Sequence, residues 1–262
     1  MIRNRFTIVL LMAFSLSLSL TSCGGISFRL DGDTVYTVDR GDTSYVVASD
    51  SSHTRILATD DFDAVDVSHS FEIIFSPQVA EGTAELTAPV NLFDCIGSEV
   101  KDGCLKVRYI RNVKIGIDID RPVLRLSSLE TFKSLDVSGA SRVVSEDTLR
   151  LADVEIDISG ASGFDVDLTA DRLFFDISGA SGVTVGGTCR ELGMDVSGAS
   201  HVDMEALKAG YCDVECSGAS KLSVWCEKEI ALDCSGASKI NVYGPGTITR
   251  QDVSGASAIS KK

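Results

Sequence analysis

Seven acidic residues recur along the second half of this 262-residue chain at nearly constant spacing: Asp136, Asp157, Asp176, Asp195, Glu215, Asp233 and Asp252. Carboxylates cleave glycosidic bonds in pairs, one as acid and one as base or nucleophile, and they hold hard cations such as calcium through oxygen. Each acid stands two residues before the same tetrapeptide, Ser-Gly-Ala-Ser, which begins at Ser138, Ser159, Ser178, Ser197, Ser217, Ser235 and Ser254. A serine repeated seven times in one context is a structural device, and the Gly-x-Ser-x-Gly elbow of serine hydrolases does not occur. His53, His69 and His201 are far apart in sequence and read as solvated surface groups, not as catalytic groups or ligands. Eight cysteines complete the reactive inventory, with no Cys-x-x-Cys pair and no Cys/His spacing suited to zinc.

The elements that position these groups follow from the repeat. Successive tetrapeptides are 21, 19, 19, 20, 18 and 19 residues apart, a period at which each unit must stack on its neighbours to bury its apolar face. The residue before the first Ser is Val137, Ile158, Ile177, Val196, Cys216, Cys234 or Val253, and apolar residues recur two and four positions earlier. After the tetrapeptide the alternation resumes at Val143, Phe164, Val183, Val202, Leu222, Ile240 and Ile259. Period two is the pattern of a half-buried strand. No helical pattern interrupts it, which excludes leucine-rich and helical solenoids. The expected fold is all-β, a parallel β-helix (β-solenoid) of about 19-residue coils. Each coil has a strand, a tight corner, a second strand and a looser return. At the corner, Gly takes a positive φ, Ala keeps the inside of the bend small, and the Ser hydroxyls bond turn amides or one another.

In such a stack the acids form an outward file at about 4.8 Å spacing, unfavourable by a few tenths of a kcal/mol per neighbour pair. Two accounts offset this. Each Asp accepts amide hydrogens from its own turn, which would hold its folded pKa below the unfolded value near 3.9 and make acid destabilising. Alternatively the file Asp136, Asp157, Asp176, Asp195, Asp233 and Asp252 holds cations such as calcium. The Gly-rich nonapeptide of calcium-binding β-rolls is absent.

The N-terminus has a different character. Met1–Arg5 is basic and Phe6–Leu20 is an almost unbroken apolar run of 15 residues, the n- and h-regions of a signal peptide and shorter than a membrane span. It ends in Leu20-Thr21-Ser22-Cys23, which resembles a bacterial lipobox. That resemblance implies cleavage before Cys23 and acylation of Cys23; an uncleaved anchor would equally place the rest outside the cytoplasm. Loss of residues 1–22 removes two Arg and no acid, taking the net charge from −14 to −16. Such a chain does not engage nucleic acid or an anionic membrane surface through charge. Residues 23–59 read as a lipidated N-terminus and tether containing a marginal hairpin. Residues 60–262 read as the solenoid, with irregular N-terminal β coils over 60–135 and seven repeats over 136–262.

Within 60–135, Asp66-Val67-Ser68 matches the later Asp-Val-Ser. Together with the lipobox, Phe62-Asp63-Ala64-Val65-Asp66-Val67, the segment Val100–Val107 and the serial Asp-Val-Ser-Gly-Ala-Ser coils, it resembles the head GIN domain family, auto-transporter adhesin-like lipoproteins of the Bacteroidetes group. The resemblance covers residues 60–262. It implies a β-helix and an adhesin-like role, and brings no catalytic residues.

The remaining expectations concern cysteines, partners and ends. Cys216 and Cys234 share one inward slot on neighbouring coils, at a separation compatible with a disulfide and equally with two buried thiols. Cys95 and Cys104, flanking the turn region Gly97–Gly103, are the better disulfide candidates. The last coil presents unpaired strand edges. These would be met by self-association into a homo-oligomer or by residues 26–59 folding back. The expected function is a non-enzymatic, lipid-anchored protein of the bacterial cell envelope, at the outer membrane, binding a glycan, a surface protein or itself, with no cofactor. The alternative is a carbohydrate-active enzyme, a polysaccharide lyase or hydrolase. Against it, no repeat carries an insertion long enough to form a catalytic cleft.

Overall fold

A computed structural model describes residues 17–20, 26–29, 38–40, 43–46, 51–58, 62–110, 113–115, 121–127 and 131–262. Apart from one 3-10 turn at Val90–Leu92, every regular element among them is a strand. From Ser134 onward, strands pair in parallel with the equivalent strand of the next coil: Leu135 with Ile156, Ile156 with Phe175, Phe175 with Met194, Met194 with Val214. The fold is the expected β-solenoid. Its interior columns are continuous; Val137, Ile158, Ile177, Val196, Cys216 and Cys234 are each at most 2% exposed.

The returns between coils are tighter than the sequence implies. Gly163–Ile177, Gly182–Val196, His201–Cys216 and Lys221–Cys234 each run as one strand from one Ser-Gly-Ala-Ser to the next. Bends are absorbed by register shifts, as between Thr184 and Gly187. At the corner, where the strands end, the backbone still bonds upward, Ala161 N–H donating to Gly139 O, Ala180 to Gly160 and Ala199 to Gly179. The corner Ala is exposed and the last Ser points inward, reversing the expected roles. Ser141, Ser162, Ser181 and Ser200 are buried; their hydroxyls donate to the carbonyls of Ser138, Ser159, Ser178 and Ser197. A small residue that carries its own donor fits this tight inner bend without leaving a buried carbonyl unpaired.

The N-terminal coils do not stack in chain order. Ala64–Val67 and Glu72–Phe75 form a coil directly beneath Ser134–Val137 and Arg142–Ser145. The coil outside it is made later in the chain, by Cys104–Tyr109 on Ala64–Val67 and Val123–Leu126 on Glu72–Phe75. Antiparallel strands then close this end: Ile96–Lys101 on Cys104–Tyr109, Ala84–Pro89 on Val123–Leu126, and Ser52–Ala58 on Ala84–Pro89. Covering the first edge in this way withholds its hydrogen-bonding groups from other chains.

Ser52–Ala58, read from the sequence as tether, is therefore paired into the solenoid's sheet. Thr43–Val46 pairs with Val113–Ile115 and Ile26–Arg29 with Ser17–Leu20. Among the described residues none of these strands pairs with the last coil; the rest of the segment 26–59 expected to fold back there lies outside the described residues. In the last coil, among the described residues, Thr247–Val253 pairs only with Lys221–Cys234, and Val253 is 45% exposed.

Candidate functional site

The acid file is longer than the repeats. Register runs from Lys106 to Asp66, Asp136, Asp157, Asp176, Asp195, Glu215, Asp233 and Asp252. Lys106 Nζ lies 3.7 Å from Asp66 at one end. The file extends downward because the out-of-order first coils keep the same register.

The cap account of this file fails. Among the described residues no amide bonds the side chain of Asp136, Asp157, Asp176 or Asp195, and burial holds Asp136, Asp157 and Asp195 above the ordinary carboxylate value of 3.8. Neighbouring acids push the same way: Asp66 on Asp136; Glu155, Asp136 and Asp176 on Asp157; Asp176 and Asp213 on Asp195. A side chain standing perpendicular to the sheet reaches the carboxylates above and below it, not its own turn amides. Nor do three His, Cys, Asp or Glu side chains converge on one cation position among the described residues.

The pH consequence reverses. A folded pKa above 3.8 means that ionisation opposes folding above the folded value, and that the cost disappears as pH falls through it. Asp157→Asn is expected to raise the melting temperature at pH 7 by about 1–3 °C, with the gain shrinking toward pH 4 and millimolar calcium leaving it unchanged. A melting temperature lowered by the substitution would show that the carboxylate is stabilising. Two exposed acids act oppositely: the Ser76 hydroxyl with Arg125 lowers Glu146, and Arg172 lowers Asp153. Their contributions are lost only as pH falls below their ordinary values of 4.5 and 3.8 through the folded ones.

Beside the file, on the same outward face, lies an open groove of about 1630 Å³. Its floor includes Glu155, Arg172, Phe174, Glu191 and Gly193. Its walls are the turn at Glu81 and Gly82, the hairpin turn at Asp102 and Gly103, and Thr131–Lys133, so the N-terminal insertions build it. Lys133 pairs with Asp63 and Arg172 with Asp153. At the centre Phe174 is 39% exposed. Its register neighbour is Gly193, where a Cβ would sit 2.8 Å from Phe174 Cδ2. The ring thus occupies space that a side chain at residue 193 would take. Phe174 is missed by the sequence reading; period-two alternation could have marked it as outward, but its groove depends on segments whose placement the repeat does not specify.

The cysteines behave as core. Cys216 and Cys234 are buried register partners, and neither is disulfide-bonded. Burial, with the neighbouring Cys234 thiol, raises the Cys216 pKa. Cys95 and Cys104 sit at opposite ends of the hairpin: Cys104 faces Lys101 at the turn, whereas the Cys95 carbonyl accepts from Ile110 N–H beyond the far end. Six strand residues at about 3.4 Å each separate them, so no disulfide joins them. Cys212 and Cys226, which the sequence did not pair, are buried thiols that donate to backbone carbonyls, Cys212 to Trp225 and Cys226 to Gly210 and Glu229. His69 takes the Gly slot of its coil at φ 93°, its ring edge-on to Tyr109 at 5.6 Å. His53 and His201 are exposed. Cys23 lies outside the described residues.

The family pattern described as "Putative auto-transporter adhesin, head GIN domain" matches residues 61–246. The chain belongs to the head GIN domain family. No curated protein matches it. This head GIN domain protein shares its fold with a putative adhesin from Bacteroides fragilis at TM-score 0.75 and 19% identity, over 82% of this chain and 99% of that one. A putative adhesin from Parabacteroides distasonis aligns at TM-score 0.62 and 17% identity, over 83% and 100%. A putative lipid binding protein from the same organism aligns at TM-score 0.59 and 15% identity, over 83% and 99%. At these identities the likeness of the head GIN domain protein to them is one of fold.

Proposed function

We propose that this protein is a non-enzymatic, adhesin-like protein of the bacterial envelope, lipid-anchored through Cys23 at the outer membrane, whose solenoid displays an outward binding face. The observation that carries the reading is that face: one acid file kept in register through eight levels, beside a groove, over a sealed apolar interior. The family description and the adhesin names of two structural relatives agree with it. An acid recurs at one place on eight successive coils, which marks a repeat and not a unique catalytic pair, and Asp153 in the groove is lowered by Arg172, the opposite of what a general acid needs. The test is retention of the purified protein on immobilised glycans and envelope proteins without product formation. Release of reducing ends or unsaturated sugars from a polysaccharide would instead establish the enzyme.

The anchor rests on Leu20-Thr21-Ser22-Cys23 following the apolar run. Cys23→Ala is expected to leave an unprocessed or soluble chain without acyl label in detergent partition. A mature-size, acyl-labelled variant would remove the anchor from the reading.

A further inference from the structure

We infer that the groove over Phe174 is the binding site of the protein and that its ligand is a neutral, extended glycan lying along the stack. This rests on the binding reading above and names its site and ligand class.

The groove's chemistry is one-sided. Its two basic groups, Lys133 and Arg172, are consumed by Asp63 and Asp153. Glu81, Asp102 and Glu155 line it with no ion pair among the described residues. What the groove offers is therefore hydrogen-bond acceptors around an exposed ring. A ligand must bring donors and an apolar face, and must not be anionic. A pyranose does all three: its hydroxyls donate to carboxylates, whose charge-assisted hydrogen bonds are the strong ones, and its C–H face covers an aromatic ring. A few placed polar groups around an apolar platform is the usual composition of a small-ligand site.

Spacing separates a glycan from the other donor-rich polymer, a basic peptide. Equivalent floor residues recur at the coil spacing of about 4.8 Å, whereas an extended peptide presents same-side residues about 6.8 Å apart. One sugar of an extended glycan advances by close to one coil. Glu155, Phe174 and Gly193 stand in register on three successive coils: an acceptor, a ring and a side-chain-free step. Tyr211, 41% exposed, lies one coil beyond Gly193 and one same-face position across, in register with Glu191. It carries a second ring two coils from the first, with Lys228 Nζ 4.9 Å over its centroid.

The experiment is affinity electrophoresis of the full chain in mild detergent through gels carrying a β-glucan, a xylan, a mannan or a galactan, with polygalacturonate and a lysine-rich peptide as charged probes. At least one neutral polymer is expected to retard the protein. Phe174→Ala is expected to weaken that retardation about tenfold and Glu155→Gln to weaken it severalfold. Asp203→Asn, an exposed acid outside the groove, is the charge-matched control and should change nothing. Phe174 is exposed, so an unchanged melting temperature should accompany the lost binding. Retardation that survives both groove variants would place the glycan elsewhere and overturn this inference while leaving the adhesin-like reading intact. Failure of every neutral polymer would overturn it as well. Salt-sensitive binding of the lysine-rich peptide alone would replace the glycan with a protein partner.

Discussion

Gly198→Val is expected to destabilise the fold by at least about 3 kcal/mol, beyond the strain of a β-branched residue in the left-handed region. Gly198 has φ +76°, and a Cβ there would sit inside the carbonyl oxygen of Gly179 one coil below. That oxygen is not free to move, because it accepts the Ala199 N–H that holds the corners together. Conformational strain and steric exclusion therefore add. Gly82 separates them: it has φ +71° with nothing within 4 Å of an added Cβ, so Gly82→Val should show the strain alone, about 1–3 kcal/mol. Gly139→Val, although nearer the N-terminal end, should cost as much as Gly198→Val, since Gly139 is at φ +85° and packs on the His69 carbonyl of a complete coil beneath. Urea midpoints of the three variants measure this. Equal losses for Gly198 and Gly82 would refute the steric part.

Phe175→Ala is expected to cost about 3–5 kcal/mol, while Phe174→Ala, one residue earlier, should stay within about 0.5 kcal/mol, as surface substitutions do. Phe175 is fully buried, stacked between Ile156 and Met194 and edge-to-face with Phe164 at 5.8 Å. Its removal leaves a cavity that three parallel coils cannot close, because each is pinned by ladder hydrogen bonds on both sides. Phe174 points to the opposite face of the same strand. Denaturant titrations of the pair test the alternation directly. A large loss for Phe174 would mean that its ring is part of the packing and not a free platform for ligand.

How much of this was legible in the chain depends on how far each feature reaches. Period-two alternation and a glycine every 19 or so residues are local signals, and stacking copies of one unit is the only arrangement that buries them, so the solenoid, its inward columns and the positive-φ corners could be read directly. The coil at 64–75 was visible too, through Asp66-Val67-Ser68, and its register with Asp136 extends the acid file.

Tertiary structure decided what depends on neighbours remote in sequence. Val123–Leu126 and Cys104–Tyr109 lie outside the coil that precedes them, and no periodicity encodes that order. The same excursion carries Cys95 and Cys104 to opposite ends of a hairpin and raises the walls of the groove. The sign of the acid file's titration was likewise beyond the sequence. Sequence spacing placed each Asp near its own turn, where amides would lower its pKa. In the fold each carboxyl meets the coils above and below, where desolvation and like charge raise it. Period-two alternation could have marked Phe174 as outward. That it stands free in a groove with acceptors on the adjoining coil depends on which side chain each neighbouring coil brings to its register, and Gly193 brings none.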